Sequence, residues 1–281
     1  MMVRIRYVVL GVLLASVWVS PAPAQSGGGG LYNTAKQKLL SGRRIVGGTV
    51  TSSDPSIYCT MASAGYDFLW IEMQHSPLNS QEVARMIYAC KDAPAIPFAR
   101  VSGANAGEIQ KAVDSGVLGI IIPLVDSVEE IAAAVRYAKY PPIGERSLGG
   151  GQYRALWGDD YRATANDNII IIAMIENPAG VDVVRDIAAV PGVDGLFAAS
   201  TDLGSFSGFR QGEPQYEALV DEIVSAARDA GLWLGGPQAW MNRPYFSIFQ
   251  APSDTALLRL GAETSLAAAP RGVAPVEGAD D

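Results

Sequence analysis

Eight short runs of β-branched and aromatic residues alternate with stretches of helical periodicity along most of this chain. The runs are Arg44–Val50, Asp67–Met73, Ile96–Val101, Leu118–Pro123, Ile169–Ile175, Asp194–Ala199, Leu232–Gly235 and Tyr245–Gln250. Strands that alternate with helices pair in parallel, because a helix carries the chain back to the start of the next strand. Eight such units predict a (β/α)8 barrel, with an open doubly wound sheet as the alternative. No GxGxxG motif follows the first run, which disfavours a dinucleotide-binding sheet.

Helical periodicity fills most of the gaps between these runs. The predicted helices are Asn33–Leu40, Pro55–Ala64, Ser80–Lys91, Asn105–Ser115, Ser127–Ala138, Pro178–Ala189, Gln215–Ala230 and Ser253–Ala268. Asp54, Asn105, Ser127 and Ser253 are expected to cap four of them, because their side chains can accept hydrogen bonds from free N–H groups. The Gly-rich segment Gly144–Asn168 is longer than ordinary connections, which predicts a functional loop.

The two ends of the chain differ from its middle. Residues 1–24 combine basic Arg4 and Arg6, the apolar stretch Tyr7–Val19 and the small residues Ala22–Ala24, a pattern typical of a secretory signal peptide. The alternative is a membrane anchor, but thirteen apolar residues are short for a bilayer. We therefore expect a periplasmic or secreted protein with no stable membrane association after cleavage. Residues 25–32 are expected to be a flexible lead-in, 33–269 the barrel and 270–281 a disordered acidic tail.

Charge and residue counts exclude several functions. With 21 Lys and Arg against 29 Asp and Glu, the net charge of −8 argues against a nucleic-acid partner. One histidine, His75, excludes a two-histidine metal site, and two cysteines cannot form a Cys-rich zinc site. Cys59 and Cys90 lie in apolar helical patterns, so two buried thiols are expected, with a disulfide as the alternative in an oxidising compartment.

Polar residues follow several of the predicted strands, where the active site of a barrel lies. They are Glu72 with Gln74 and His75 just beyond it, Arg100, Glu176 and Asp202. Glu176 and Asp202 could hold a hard divalent cation, or could each cap a helix or pair with an arginine. Arg100 could clamp an oxyanion or form a structural ion pair, and His75 could transfer protons or simply pack. Two of the three carboxylates could also serve as acid and base in a barrel glycoside hydrolase.

Several segments around these residues carry a resemblance to a known family. They are Asn33–Gly42, Gly65–Pro77, Ala99–Val101, Lys111–Gly116, Ile122–Val125, Tyr140–Arg146, Met174–Glu176, Gly192–Phe197 and Thr201–Leu203. In order and spacing they resemble the HpcH/HpaI aldolase family, which comprises metal-dependent class II pyruvate aldolases with a (β/α)8 barrel. The resemblance runs from about Asn33 to Ala268.

The resemblance implies a carbon–carbon lyase that acts on a 2-oxo acid or related hydroxy acid through a metal-stabilised enolate. Glu176 and Asp202 match the residues that hold the divalent metal, for which we expect Mg²⁺ or Mn²⁺, with Co²⁺ as an alternative. Arg100 matches the arginine on the keto oxygen, His75 the base, and Asp114 the acid that orients it. The amides around Ser200 and Thr201 would meet the substrate carboxylate. Family members are also expected to be homo-oligomers.

Some positions depart from the family pattern. The usual D-x-E-H reads Glu72 to His75 here, so that Gln74 replaces a glutamate; the glutamine of Q-x-E is Met174, and G-P-A-D reads Ala199 to Asp202. Gln74 and Met174 are therefore expected to contact a different substrate. Trp70, Tyr153 and Trp157 are expected to form a pocket for a bulky aldehyde acceptor. An exported binding protein of the same fold, without turnover, is the alternative.

Overall fold

The computed structural model describes residues 30–269, in which eight parallel strands form a closed barrel in chain order. The strands are β1 (Ile45–Val50), β2 (Phe68–Glu72), β3 (Ile96–Arg100), β4 (Gly119–Ile122), β5 (Ile170–Ile175), β6 (Gly195–Ala198), β7 (Trp233–Pro237) and β8 (Phe246–Ser253). The predicted barrel is confirmed. The predicted signal peptide and acidic tail, and most of the lead-in, lie outside the described residues.

Helices surround this barrel. They are α1 (Thr34–Leu40), α2 (Pro55–Ser63), α3 (Ser80–Ala89), α4 (Ala106–Asp114), α5 (Val128–Ala138), α6 (Tyr153–Trp157), α7 (Tyr161–Asn168), α8 (Pro178–Asp182), α9 (Val184–Ala188), α10 (Ser200–Ser207), α11 (Pro214–Asp229) and α12 (Asp254–Ala268). The single helix predicted over Pro178–Ala189 is two short helices that meet at Val183, and α6, α7 and α10 were not predicted. None of the helices within residues 30–269 has the length and apolar character to span a membrane.

Three of the four predicted caps are confirmed. The side chains of Asp54, Asn105 and Ser253 accept hydrogen bonds from backbone N–H groups in the first turns of their helices. Ser127 occupies the predicted position before α5, but its side chain makes no capping hydrogen bond.

Glycine opposite phenylalanine is a recurring arrangement inside the barrel. Gly47 pairs with Phe68, Gly119 with Phe98 and Gly235 with Phe197 across neighbouring strands. A Cβ atom on any of these glycines would overlap the facing ring. The absent side chains therefore leave room for the three aromatic rings, which are buried and fill the barrel interior.

The long Gly-rich segment has a structural role, which corrects the prediction of a functional loop. It connects the end of α5 to the start of β5, so it lies at the N-terminal ends of the strands. Trp157 Nε1 donates to the Gly116 carbonyl at 2.9 Å, and Asn168 Oδ1 accepts from the backbone N–H groups of Tyr32 and Asn33 at 2.9 Å each. These bonds close the bottom of the barrel, away from the face that carries active sites in this fold.

A disulfide joins α2 to the end of α3, so the prediction of two free thiols is wrong. Cys59 and Cys90 are bonded, with their Cα atoms 5.5 Å apart. Because α2 and α3 are neighbours around the barrel, residues 31 positions apart in sequence become adjacent.

Candidate active site

A cavity of about 260 Å³ opens at the C-terminal ends of the strands. It is lined by His75, Arg100, Met174, Phe197, Ala199, Ser200, Thr201, Asp202, Pro237 and Gln250. These residues come from six of the eight βα units, so only the closed barrel brings them together. The cavity is where a (β/α)8 fold builds its active site.

Glu72 at the end of β2 is bonded to Arg100 at the end of β3, on one side of the cavity. Its carboxylate is 3% exposed and accepts from Arg100 Nε at 2.6 Å and from Trp70 Nε1 at 3.1 Å. Its other oxygen accepts from the backbone N–H groups of Gln74 and His75, at 2.9 and 3.0 Å. One carboxylate therefore fixes both the direction of the Arg100 guanidinium and the path of the loop that carries His75.

His75 presents a free imidazole to the cavity. Its backbone is held by Glu72, but its ring makes no hydrogen bond among the described residues. Because the loop is fixed and the His75 ring makes no hydrogen bond there, the ring can take a proton from a ligand without first breaking a hydrogen bond within the protein.

Glu176 and Asp202 form a pair of carboxylates beside the cavity. Glu176 directly follows β5 and is 1% exposed, whereas Asp202 lies in the first turn of α10. Glu176 Oε1 accepts from the Leu124 N–H at 2.5 Å. Leu124 has φ of 55°, a left-handed conformation that a leucine adopts at an energetic cost. The strained residue directs its N–H at the buried carboxylate.

The electrostatics of this pair favour a bound cation. The pKa of Glu176 is raised to about 7, first because the group is buried and then because the Asp202 carboxylate lies beside it. Two hard oxygen donors held together in this way suit a divalent cation, which would remove their mutual repulsion. The described residues contain no group of three or more Asp, Glu, His or Cys placed to hold a metal. Mg²⁺ sites commonly use one or two carboxylates, with substrate and water as the other ligands. The carboxylates of Glu176 and Asp202 therefore fit a divalent cation.

The start of α10 supplies donors for an anion. Ala199 precedes the helix and gives no side-chain cap, so the first N–H groups, at Ser200 and Thr201, remain available. Both residues line the cavity. Free N–H groups and the helix dipole favour a carboxylate at this position.

Asp114, which was predicted to orient His75, does not line this cavity. It is the last residue of α4, which leads into β4, so it lies at the N-terminal end of the barrel. Its carboxylate accepts from Arg146 Nη2 at 2.7 Å and from Gln110 Nε2 at 2.8 Å. The guanidinium of Arg146 is buried among the rings of Tyr140, Tyr153 and Tyr161. A residue that ends a helix lies on the opposite face from one that ends a strand, because the two run antiparallel.

The predicted aromatic acceptor pocket does not exist in this form. Trp70 is fully buried in the barrel against Phe197, with ring centroids 5.0 Å apart. Tyr153 is also fully buried, and Trp157 stacks on Tyr32 at the bottom of the barrel. Gln74 lies beside the cavity rather than in its lining, and its buried Oε1 has no hydrogen-bond partner among residues 30–269.

Sequence reasoning missed four lining residues: Phe197, Ala199, Pro237 and Gln250. Pro237 ends β7 and Gln250 lies near the end of β8. A polar residue in the last strand could have been included by the rule that selected Arg100. Leu124 gave no signal, because neither its hydrophobic side chain nor its position predicts a left-handed backbone.

A family profile, HpcH/HpaI aldolase/citrate lyase, matches residues 49–236. The match spans β1 to β7 and includes His75, Arg100, Glu176 and Asp202. The chain belongs to this family. The resemblance inferred from the sequence is therefore confirmed.

Several named proteins are similar to this HpcH/HpaI family member. A hydroxypyruvate/pyruvate aldolase from Paraburkholderia phytofirmans is 35% identical over 214 residues, covering 72% of this chain and 82% of the relative. A 2-keto-3-deoxy-L-rhamnonate aldolase from Klebsiella pneumoniae is 30% identical over 206 residues, covering 72% and 77%. The crystal structure of an HpcH/HpaI aldolase/citrate lyase family protein from Burkholderia cenocepacia has a TM-score of 0.77 at 28% identity, covering 84% and 98%.

The contacts of Glu72 predict its contribution to stability. We expect Glu72→Ala to lower the free energy of unfolding by about 3–5 kcal/mol, because the largely buried Arg100 would lose its counter-ion. Urea unfolding followed by fluorescence measures the change. Exposed Glu145 provides a matched control, and Glu145→Ala should change stability by no more than about 0.5 kcal/mol. Equal effects of the two substitutions would contradict the central role of Glu72.

Proposed function

We propose that this protein is a metal-dependent carbon–carbon lyase that forms or cleaves an aldol bond in a 2-oxo acid. The observation that carries the proposal is one cavity lined by the free His75 imidazole, the Arg100 guanidinium and Asp202, with the buried Glu176 carboxylate beside Asp202. The names of the aldolase relatives support the same reaction class. A glycoside hydrolase is disfavoured, because Glu72 is paired with Arg100 and the family match is to aldolases.

In the cleavage direction the substrate is a 4-hydroxy-2-oxo acid. His75 removes the proton of the C4 hydroxyl, and the C4–O bond becomes the carbonyl of the departing aldehyde. The electron pair of the C3–C4 bond passes toward C2, and the keto oxygen gains negative charge. Arg100 donates hydrogen bonds to that oxygen. Transfer of the proton held by His75 to C3 then completes the 2-oxo acid and returns His75 to its starting form. Synthesis follows the same steps in reverse.

Glu176 and Asp202 would hold the divalent cation, for which we propose Mg²⁺ or Mn²⁺ and, as an alternative, Co²⁺. When bound, the cation stabilises negative charge on the substrate oxygens. The protein's own contribution is to keep both carboxylates in place: β5 carries one, α10 carries the other, and the Leu124 N–H fixes the orientation of Glu176.

The substrate carboxylate would bind at the start of α10. Ser200 and Thr201 line the cavity, and no side chain caps the N–H groups at the start of this helix. The rest of the substrate would then extend toward Arg100, His75 and Gln250, which also line the cavity.

Hydrogen exchange tests the proposal. We expect purified protein with Mg²⁺ or Mn²⁺ to exchange the methyl protons of pyruvate for deuterium in D₂O, followed by proton NMR, and EDTA to stop the exchange. Glu176→Gln and Asp202→Asn should each lower the rate at least about 100-fold, because each replaces a negatively charged oxygen ligand with a neutral amide.

Exposed Asp186 on α9 provides a control, and Asp186→Asn should keep the full rate. Exchange that EDTA leaves unchanged would exclude the metal-dependent mechanism. If no metal supports exchange but pyruvate still binds in a metal-dependent manner, the exported binding protein becomes the better description.

We also propose that the chain is exported and that residues 1–24 are removed. The Cys59–Cys90 disulfide supports this, because disulfides persist in oxidising compartments. Expressed from its own first residue in a Gram-negative host, the protein should be recovered from the periplasm with Gln25 at its N-terminus and no free thiol. Mass spectrometry of the unreduced protein measures both. Recovery from the cytoplasm with residues 1–24 retained would contradict export.

We further propose that the protein is a homo-oligomer in which α12 packs against a second copy. Beyond its first turn this helix is largely exposed, with Leu258, Leu260 and Leu266 each more than half exposed. A groove of about 560 Å³, lined largely by apolar residues, lies between α2 and α12. Apolar surfaces of this kind usually mark contacts with another molecule.

Light scattering after gel filtration tests the assembly. We expect a mass at least twice that of one chain, and Leu258→Arg combined with Leu266→Arg should reduce it. Leu40 on α1 is similarly exposed, at 48%, and Leu40→Arg should leave the mass unchanged. A wild-type mass equal to one chain would contradict the proposal.

A further inference from the structure

A second cavity opens beside the catalytic one. It has a volume of about 540 Å³ and is lined by Gln238, Ala239, Met241, Gln250, Ala251 and Pro252. Gln250 lines both cavities, so the two adjoin at this side chain. A substrate that reacts beside Arg100 could therefore extend past Gln250 into the wider space.

The lining of the second cavity contains amides and apolar groups but no charge. The six lining residues include two glutamines and no acidic or basic side chain. Among the hydrogen bonds of residues 30–269, neither the Gln238 nor the Gln250 side-chain amide has a protein partner. A free amide both donates and accepts, which matches a hydroxyl group.

Two arginines contact the segment that lines the cavity, and both are engaged by other groups. Arg44 Nη1 donates to the Met241 carbonyl at 2.7 Å, and its guanidinium lies over the Phe249 ring. Arg243 binds both oxygens of Glu217, at 2.6 and 3.1 Å. Neither side chain lines the cavity. A carboxylate or phosphate entering this space would lose water without gaining a charged partner.

The wall of the cavity is held in place. The Arg243 guanidinium stacks on the Trp240 ring at 4.2 Å, and Trp240 packs edge-on against Phe246 at 5.5 Å. Trp240 is 5% exposed. Gln250 itself sits in β8, in register with Gly47 of β1 and Pro237 of β7. The two amides are therefore presented by a packed segment and a paired strand.

We infer that the second cavity binds the aldehyde portion of the substrate and selects one that is neutral and hydroxylated, with Gln250 as the specificity-determining residue. This inference rests on the proposed lyase function. The substrate then has an acidic end at α10 and an uncharged, hydroxyl-bearing chain in the second cavity.

Four aldehydes test the selection in the synthesis direction with pyruvate. They are glyceraldehyde, which is neutral and hydroxylated; butanal, which is apolar; 4-oxobutanoate, which is acidic; and glyceraldehyde 3-phosphate. We expect the highest kcat/KM with glyceraldehyde. Gln250→Leu should lower the ratio of kcat/KM for glyceraldehyde to that for butanal about tenfold, because one hydrogen bond to the aldehyde is lost. Exposed Gln215 on α11 is the control, and Gln215→Leu should keep the wild-type ratio.

The outcomes separate this inference from the proposed function. Pyruvate exchange together with a preference for the acidic or phosphorylated aldehyde would overturn the inference and leave the lyase function standing. An unchanged glyceraldehyde-to-butanal ratio in Gln250→Leu would remove Gln250 as the determinant. If Gln250→Leu fails to fold, the wild-type ranking of the four aldehydes decides the question. Absence of pyruvate exchange with every metal would overturn both proposals.

Discussion

The pairing of β1 with β8 is the constraint on which the site depends. It joins Ile45 to Ile248, Val46 to Phe249 and Gly47 to Gln250, and so closes the sheet. Closure removes both edges of the sheet and brings all eight strand ends into one ring. Residues from β2, β3 and β5 and from the start of α10 then face a common space, although Glu72 and Asp202 are far apart in the chain. The same pairing places Gln250 between the catalytic cavity and the wider one beside it.

Closure alone does not orient the reactive groups. The carboxylates of Glu72 and Glu176 have different parts in that orientation. Glu72 is neutralised by Arg100 and surrounded by N–H donors, so it acts as a fixed anchor for the guanidinium and for the His75 loop. Glu176 lies close to a second carboxylate and its pKa is raised, so it is the group that a cation would stabilise. Two glutamates at the ends of different strands, Glu72 at β2 and Glu176 at β5, thus have opposite roles, because only Glu72 is paired with an arginine.

The candidate catalytic groups lie at the C-terminal face of the barrel, whereas the N-terminal face carries structural contacts. At the C-terminal face polar groups line a cavity, and the side chains of His75 and Gln250 make no hydrogen bond within residues 30–269. At the N-terminal face Arg146 is enclosed by three tyrosine rings and paired with Asp114, and the segment around Trp157 closes the end of the barrel. Both Asp114 and the aromatic segment precede a strand. A residue between the end of a helix and the start of the next strand is expected at the N-terminal face of the barrel. This position predicts where these residues lie better than the chemical character of their side chains does.

The sequence by itself determined the fold, the eight strands to within a few residues, and the position of His75, Arg100, Glu176 and Asp202 at or just after strand ends on one face of the barrel. These follow from periodicity and from position after a strand, which are local properties of the chain. Only the tertiary structure decided that Cys59 and Cys90 pair, that Glu72 holds Arg100, that Leu124 takes a left-handed backbone to reach Glu176, and that Gln250 joins two cavities. Each of these depends on which neighbouring element a side chain meets. That is fixed by helix packing and strand register around the closed barrel, and no local pattern encodes it.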